Sequence, residues 1–415
     1  MKGAALYKLA LLFLVLFLQT NICLAQRSMQ SFLGAASQDP LMGVYSDQIS
    51  YLTKNPYRLL PVRQLEFRLQ NNEFYAGEYD YGLRLSPANP WEIRNTSRYF
   101  KTYQSNLALE RELMLKQVLA KRYELVVELL FLSNMHNLKE QQLENINYQL
   151  SVLEQQSGSD FFEEDDFVEL AIDQFEQETE LENLAFELAR KIAEINTIYN
   201  IDGSEIATWS YSTVLAPDKL EQSIDSLMQL PLYTTRLAFR KERIVLADRE
   251  FALERSNINP GFIQSEYMPY RKTRNPYGIS LGITLPIFNP NRGDMAEKRL
   301  EIMEANNDLA LEELQAKEEV DQLYASLKSR LQRYRNLEKS LSSNRLEEMS
   351  EAVSTINSNN PLIRLKLTGR QLKLQRLRAE LLNDIYEDYI ELLTASDLLV
   401  QRPLVNYLSP GLQPL

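Results

Sequence analysis

The chain has 415 residues, of which 57 are acidic and 45 basic, so its formal net charge at pH 7 is −12. Such a chain is repelled by nucleic-acid phosphates, and we expect no nucleic-acid partner. It contains one histidine and one cysteine, so the usual residues of zinc sites and of nucleophilic catalysis are scarce. We therefore expect no enzyme activity, no cofactor and no metal site.

The first 25 residues have the pattern of a secretory signal peptide. A basic start is followed by a short apolar run from Leu9 to Leu18 and by small residues before Gln26. Cleavage after Ala25 would remove the only cysteine, Cys23, and two lysines, which changes the net charge from −12 to −14. Acylation of Cys23 is the alternative, but the residues before it lack the small side chain that acylation requires. No later stretch has 18 consecutive apolar residues, so insertion into a membrane would have to use strands.

The first half of the chain predicts a hairpin followed by two long helices. Residues 26–43 are expected to be irregular, and 45–53 to form a short helix. Alternating apolar and polar residues predict a β-hairpin at about 62–86. Apolar residues in steps of three and four predict helices at about 95–156 and 161–199. The first of these would be about 90 Å long, which is more than a compact domain needs.

The second half repeats this order. After a connector at 200–217, we expect a helix at about 218–255, with Pro231 as the site of a kink. Strands at about 262–287 follow, then helices at about 294–341 and 362–399, and a tail at 402–415. This order predicts two structural repeats, 26–215 and 216–401, and we expect the two repeats to be intertwined with each other.

The strand around Tyr277–Ile287 carries the clearest pattern in the sequence. Its odd positions are large and apolar and its even positions are small, which is typical of a strand with two different faces. A shift by about 200 residues finds similar residues, with Gly82 matching Gly282 and Leu83 matching Ile283. Such a strand fits a membrane surface and also fits a solvated sheet that covers a core. The candidate lipid-facing residues are Tyr79, Tyr81, Leu83, Leu85, Ile279, Leu281, Ile283 and Leu285.

An acidic run follows the turn between the first two long helices. Residues 163–182 include ten acidic and no basic side chains. One interpretation is a solvated helix start, which the helix dipole favours. The other is a pore entrance that attracts cations, or a contact with a partner protein. The candidate entrance residues are Asp160, Glu163, Glu164, Asp165 and Asp166.

Residues 281–289, Leu-Gly-Ile-Thr-Leu-Pro-Ile-Phe-Asn, together with Arg292-Gly293, resemble the strand-to-helix signature of the TolC family of bacterial outer-membrane efflux proteins. The ending Pro-Ile-Phe is similar to the metal-efflux type of that family. The resemblance is good over about 216–399 and fair over about 83–199. It implies a mainly α fold with a small β part. Two structural repeats would supply long antiparallel coiled-coil helices, and short antiparallel strands would contribute to a trimeric outer-membrane β-barrel.

The resemblance also implies a function and partners. The chain would be the outer-membrane channel subunit of a tripartite efflux or export system, a passive conduit that reaches into the periplasm. It would form a homotrimer in contact with outer-membrane lipid, a periplasmic adaptor and an inner-membrane pump. One departure is the first half, where only 45–53 could supply the helix that leads into the strands. This shortened first half suggests an alternative, a degenerate structural or adaptor-like envelope protein without an open pore. A soluble periplasmic coiled-coil protein is a further alternative.

Overall fold

The computed structural model describes residues 28–71, 79–155, 164–199, 201, 203–269, 275–284, 291–342 and 361–415. The predicted signal peptide lies outside these residues. The helices are α1 (Pro40–Lys54), α2 (Pro90–Gln155), α3 (Glu164–Tyr199), α4 (Pro217–Leu227), α5 (Thr234–Ser256), α6 (Arg292–Ser342) and α7 (Pro361–Ala395). The strands are β1 (Val62–Asn71), β2 (Tyr79–Pro87), β3 (Gly261–Tyr267) and β4 (Tyr277–Ile283).

The chain divides into two compact units. Among the described residues, the first unit consists of those up to Asp39 and those within Leu115–Tyr233 and Ala316–Leu415, and the second of those within Pro40–Met114 and Thr234–Gln315. Each unit takes segments from both halves of the chain, so the compact units are not the two predicted repeats themselves. Helices α2 and α6 contribute residues to both units.

The second unit contains the sheet. Its four strands are antiparallel and lie in the order β1-β2-β3-β4, which leaves β1 and β4 at the edges.

Helix α2 begins directly after β2, five residues before its expected start at about 95. Asn89 caps it, because the Asn89 side-chain oxygen accepts a hydrogen bond from the Trp91 backbone N–H at 3.1 Å. Pro90 then occupies the first helical position, where its missing N–H costs nothing.

A helix leads into each pair of strands. The first-half helix that the sequence predicts at only 45–53 extends over 15 residues as α1, and its second-half counterpart α5 has 23 residues. The first half is therefore shorter at this point, but its helix is present. The single helix expected at about 218–255 is instead two helices, α4 and α5. Pro231 cannot continue the helical hydrogen bonding, and Tyr233 adopts a left-handed conformation with φ 46° between them.

The core of the first unit contains segments that the sequence analysis placed outside any core. The prediction that 26–43 is irregular is wrong, since residues 28–34 are helical and Ala35–Gln38 form a 3-10 turn. Met29, Phe32 and Leu33 are buried there, at the spacing that places residues on one face of a helix. Residues 402–415 are not a free tail, because Tyr407 and Leu408 are buried. The last helix ends at Ala395 instead of about 399, since Asp397 adopts a left-handed conformation.

Two buried ion pairs join these segments to α2. Lys116 Nζ lies 2.7 Å from a carboxylate oxygen of Asp397, and Arg122 lies 3.0 Å from Asp39. The Arg122 guanidinium is also 4.3 Å from the centre of the Tyr199 ring. Because a buried charge is costly without a partner, these pairs hold the 28–39 segment and the end of α7 in defined positions.

Further along α2, the first unit is a bundle of long helices. Lys139 on α2 donates to the Gln177 side chain on α3 at 2.8 Å, and Asn145 donates to the Leu365 carbonyl on α7 at 3.2 Å. Met135 and Leu138 of α2 are buried in one cluster with Leu372 of α7. Helix α2 therefore lies between α3 and α7.

Candidate functional site

The sheet of the second unit has one apolar face, which runs across all four strands. The strand registers place its side chains in three rows. The rows are Leu65-Leu85-Ile263-Leu281, Phe67-Leu83-Ser265-Ile279 and Leu69-Tyr81-Tyr267-Tyr277. Strand side chains alternate between the two faces, so a single period-two pattern in each strand builds a continuous surface.

This apolar face is exposed to an unusual degree. The exposed fraction is 82% for Phe67, 79% for Ile279 and 78% for Ile283. On the inner strands the exposed fraction is smaller, 41% for Leu83 and 46% for Ile263. A contiguous apolar surface of this kind is rare on a soluble monomer and marks a region that contacts lipid or another protein.

The opposite face of the same sheet is polar. Glu66 accepts two hydrogen bonds from the Arg68 guanidinium, at 2.7 and 3.0 Å, and Gln264 donates to Glu266 at 2.6 Å. The two faces therefore suit different surroundings, one apolar and one aqueous.

An aromatic side chain lies across part of the polar face. The Phe262 ring has the Arg84 guanidinium 3.8 Å from its centre, which is a cation–π contact. The same ring covers Gly282, where a Cβ atom would lie 2.3 Å from a ring carbon. Glycine is therefore required at position 282 for this packing, which gives the alternation of large and small residues in β4 a physical reason.

One of the three rows is mainly aromatic. The Tyr267 ring centre lies 5.1 Å from that of Tyr277 and 6.5 Å from that of Tyr81. Tyr267 is the last residue of β3, and Tyr277 is the first residue of β4. Tyrosines at such a position match the aromatic girdles of membrane-embedded sheets, although aromatic residues are also common in ordinary strands.

The sheet brings most of the candidate lipid-facing residues to one face. Tyr79, Tyr81, Leu83, Ile279, Leu281 and Ile283 are exposed there, Leu85 is half-buried, and Leu285 lies outside the described residues. The candidate list omitted the apolar residues of β1, namely Leu65, Phe67 and Leu69, although their alternation was visible in the sequence. It also omitted Ile263 and Tyr267, since only the register shows that β3 lies between β2 and β4.

The candidate entrance residues lie at the start of α3. Glu164 and Asp165 are exposed in its first turn, and Asp166 lies 3.3 Å from the Lys366 ammonium at the start of α7. Asp160 and Glu163 lie outside the described residues. The contact between Asp166 and Lys366 joins the beginnings of α3 and α7 and neutralises one carboxylate of the group.

Other chemical sites have little support in the described part of the chain. No group of three or more His, Cys, Asp and Glu residues there is arranged to hold a metal ion. The His136 Nδ1 atom lies 3.8 Å from the Glu140 carboxylate on the surface of α2. A cavity of about 210 Å³ between α5 and α6 is lined mostly by charged side chains, including Arg240 and Asp308, which form an ion pair at 3.1 Å. Pockets for small molecules are usually apolar with few polar groups, so this cavity is a solvated ion-pair network between helices.

The helices give no membrane-spanning segment. None of those in the described residues has a stretch that is both long enough and apolar enough to cross a membrane.

The fold is similar to that of solved outer-membrane channels. The outer-membrane channel OprN is 10% identical with a TM-score of 0.65, over 89% of this chain and 89% of OprN. VceC, an outer membrane protein from Vibrio cholerae, is 13% identical with a TM-score of 0.64, over 88% of this chain and 95% of VceC. CmeC, an outer membrane channel from Campylobacter jejuni, is 13% identical with a TM-score of 0.61, over 90% of this chain and 85% of CmeC.

These likenesses extend over most of the chain and show its fold, which is that of the TolC-family channels. The predicted fold class, mainly α with a small antiparallel β part, is confirmed. The structural neighbours are channel proteins and not enzymes. No protein-family model and no curated protein matches the sequence.

Proposed function

We propose, from the fold shared with TolC-family channels, that this chain is the outer-membrane channel subunit of an efflux or export system. It would conduct its cargo passively, while a periplasmic adaptor and an inner-membrane pump supply selection and energy. The protein would assemble as a homotrimer in the outer membrane and extend into the periplasm. It would carry out no chemical reaction and hold no cofactor.

The observation that carries this proposal is the sheet with one apolar and one polar face. Three rows of side chains, apolar or aromatic except for Ser265, cross four strands on one face, and Glu66, Arg68 and Glu266 lie on the other. In a closed sheet formed with further copies, the apolar face would contact lipid and the polar face would line an aqueous passage. A sheet that covered a protein core would instead have its apolar face buried within the chain, whereas here Phe67 and Ile279 are among the most exposed apolar residues.

The alternative without an open pore came from the short first half. The structure gives this alternative less support than the sequence did, because α1 provides the helix before β1. Helix α1 is eight residues shorter than α5. The alternative remains a structural or adaptor-like envelope protein of the same fold.

Reconstitution separates these functions. The full-length protein is expressed in a Gram-negative host, recovered from the outer membrane in detergent, confirmed as a trimer by mass, and added to a planar lipid bilayer. We expect discrete, long-lived conductance steps. A correctly assembled trimer without any conductance would favour the alternative, and recovery of the protein in the soluble periplasmic fraction would contradict both membrane functions.

A further inference from the structure

The exposed apolar surface of the second unit continues beyond the sheet. At the end of the sheet that adjoins α2, Leu60 and Trp91 are 72% and 70% exposed. The Ala88 backbone N–H donates to the Pro61 carbonyl at 2.8 Å, which joins the residue after β2 to the residue before β1. Leu60 therefore lies beside the link into α2, and Trp91 lies in the first turn of that helix.

Trp91 and the tyrosine row lie at opposite ends of the sheet. Tyr81 and Pro87 are six residues apart on β2, which corresponds to about 20 Å of strand. Trp91 follows four residues after Pro87. The two aromatic levels are therefore about 25 Å apart along the strand direction, which is close to the height of the apolar band of membrane barrels. Such a band has aromatic girdles at both edges, and tryptophan is enriched at membrane–water interfaces.

Helix α2 has a free face, which begins at Trp91. On one side of the helix, Phe100 stacks on Tyr57, with ring centres 4.6 Å apart. On the other side, Asn95 donates to the Ala252 carbonyl of α5 at 2.9 Å. The face between these contacts is exposed, and it consists of one aromatic and three basic residues in steps of three, four and three, which place them on one line along the helix. These residues are Trp91, Arg94, Arg98 and Lys101.

This free face is basic, although the protein is acidic overall. Residues 91–109 of α2 include three basic side chains and one acidic side chain, Glu92, whereas the whole chain has a net charge of −12. Glu92 is buried and lies 3.7 Å from the Arg63 guanidinium. Within the described ranges, Arg94, Arg98 and Lys101 form no ion pair with a carboxylate. Exposed cations without partners attract anionic groups.

The two arginines are close enough to Trp91 to act at the same membrane interface. With a rise of about 1.5 Å per residue, Arg94 is about 4.5 Å, Arg98 about 10 Å and Lys101 about 15 Å further from the sheet than Trp91. Helical side chains tilt towards the N-terminus of their helix, which in α2 is the end at the sheet. The headgroup layer of a leaflet is about 5–8 Å thick. Arg94 and Arg98 can therefore reach this layer, and Lys101 lies beyond it.

From these observations we propose that the free face of α2 binds the headgroups of anionic phospholipids in the leaflet next to the periplasm. Trp91 lies at the boundary between acyl chains and headgroups, and Arg94 and Arg98 contact lipid phosphates. The ligand is a phosphate-bearing glycerolipid of net negative charge, such as phosphatidylglycerol. The proposal deepens the proposed function and rests on it, since it requires the apolar face of the sheet to lie in the membrane.

Two features favour a lipid surface as the occupant of this face. The first is continuity, because the free face adjoins an apolar sheet face that is itself exposed. The second is the order of the residues, with apolar rows first, then Trp91, then the arginines. A bilayer presents its layers in the same order, with acyl chains first, then the interface that tryptophan prefers, then phosphates that attract cations.

Tryptophan fluorescence tests the position of Trp91. The chain has two tryptophans, and Trp209 is 4% exposed, with its Nε1 donating to the Ser28 hydroxyl at 2.7 Å. The full-length protein, Trp91→Phe and Trp209→Phe are reconstituted in phosphatidylcholine vesicles whose acyl chains carry bromine, a tryptophan quencher, near the headgroup or near the chain end. We expect bromine near the headgroup to quench Trp91 more strongly than bromine near the chain end, and neither to quench Trp209. If Trp209→Phe does not fold, the difference between wild type and Trp91→Phe gives the Trp91 signal.

Competition between lipids tests the arginines. Unbrominated phosphatidylglycerol is mixed into the brominated phosphatidylcholine, and the relief of Trp91 quenching measures which lipid occupies the site. We expect a preference for phosphatidylglycerol of about five-fold for each arginine, because a cation near an anionic surface is attracted to it, and a smaller preference at high salt. The combined change Arg94→Gln and Arg98→Gln should remove this preference. Lys101→Gln, on the same face but further from Trp91, is the matched control and should keep it, and glycerol phosphate in solution should not relieve the quenching.

The outcomes separate this inference from the proposed function. A protein that conducts in a bilayer, but whose Trp91 is quenched by iodide in water and not by brominated lipid, would overturn the inference and leave the channel function intact. Equal loss of the lipid preference in Lys101→Gln, or relief of quenching by glycerol phosphate, would overturn the headgroup site. Quenching of Trp91 with the expected lipid preference, in a protein that does not conduct, would support the inference and count against the channel.

Discussion

Ile279 and Ser280 are neighbours on β4, but their side chains lie on opposite faces of the sheet. Ile279 belongs to the central apolar row, and Ser280 belongs to the polar face. If the apolar face contacts lipid, arginine at position 279 costs about 2–4 kcal/mol near the bilayer centre, whereas arginine on the inner face costs little. We expect Ile279→Arg to lower the amount of protein in the outer membrane at least several-fold and Ser280→Arg to leave it near the wild-type amount. The measurement is the quantity of trimer in outer-membrane fractions, and equal loss in both variants would contradict a lipid-facing role for this face.

Tyrosines in the first unit give it a defined response to alkaline pH. Burial raises the pKa of Tyr407 to about 12 and raises the pKa of Tyr389 well above its ordinary value. The Tyr407 hydroxyl donates to the Leu398 carbonyl at 2.9 Å, so the neutral phenol is the form that the fold binds. Above about pH 10 the unfolded chain loses phenolic protons that the folded chain keeps, so the free energy of unfolding falls as pH rises.

We therefore expect full stability below about pH 10 and a progressive loss of stability as pH rises towards about 12. Tyr407→Phe should lower the free energy of unfolding by about 1 kcal/mol at neutral pH, because one hydrogen bond is lost. It should also make the alkaline loss shallower. Denaturant unfolding at several pH values, followed by circular dichroism, measures both effects. Tyr148→Phe, at an exposed position on α2, is the control, and an unchanged alkaline slope in Tyr407→Phe would exclude Tyr407 as a source of the pH dependence.

Among the elements, the C-terminal segment after α7 is a structural part of the first unit. Leu408 is almost fully buried, and its carbonyl accepts a hydrogen bond from the Leu215 backbone at 2.8 Å. Leu408→Ala should lower the free energy of unfolding by about 2–5 kcal/mol, as expected for a buried leucine. Leu412→Ala, four residues later at a partly exposed position, should change it by less than about 1 kcal/mol. Chemical denaturation of the two purified variants tests this, and similar values for both would show that the segment does not contribute to the core.

A comparison of the predicted helices and strands with those of the structure shows which elements the sequence could predict. Helices α2 and α6 were predictable because long stretches without proline or glycine carry apolar residues in steps of three and four. The hairpin β1–β2 was predictable because its alternation is local. The burial of 28–34 and of Tyr407 was not, since it depends on packing against residues far away in the chain. Tyr123 of α2 illustrates this, because its hydroxyl accepts a hydrogen bond from the Tyr407 backbone N–H at 3.1 Å.

The candidate site was predictable residue by residue but not as a surface. Period-two alternation identified the apolar positions of β2 and β4. The pairing of β2 with β3, which joins Leu83 to Ser265, has no local signal. Without that pairing, the sequence predicts separate apolar strands and not three continuous rows.

At the scale of the whole molecule, the two halves of the chain use the same order of parts. A short helical piece in the first unit is followed by a helix in the second unit, two strands, a long helix that contributes to both units, and a returning helix. In the first half these parts are residues 28–34, α1, β1, β2, α2 and α3, and in the second half they are α4, α5, β3, β4, α6 and α7. Most differences are in length, and α1 is shorter than α5. This order agrees with the duplication that we predict from the sequence.

The acidic start of α3 offers a test of the assembled channel. If three copies place this helix start at the periplasmic opening, the exposed carboxylates of Glu164 and Asp165 would raise the local cation concentration there. We expect the combined change Glu164→Gln and Asp165→Asn to lower the cation-to-anion permeability ratio, measured as the reversal potential in a salt gradient, most strongly at low ionic strength. Glu313→Gln with Glu318→Gln, which removes two exposed charges from α6, is the charge-matched control. Asp166→Asn should have a smaller effect on permeability, because Lys366 already neutralises that carboxylate. A ratio that falls equally in the α6 control would mean that net charge, and not a ring at the opening, sets the selectivity.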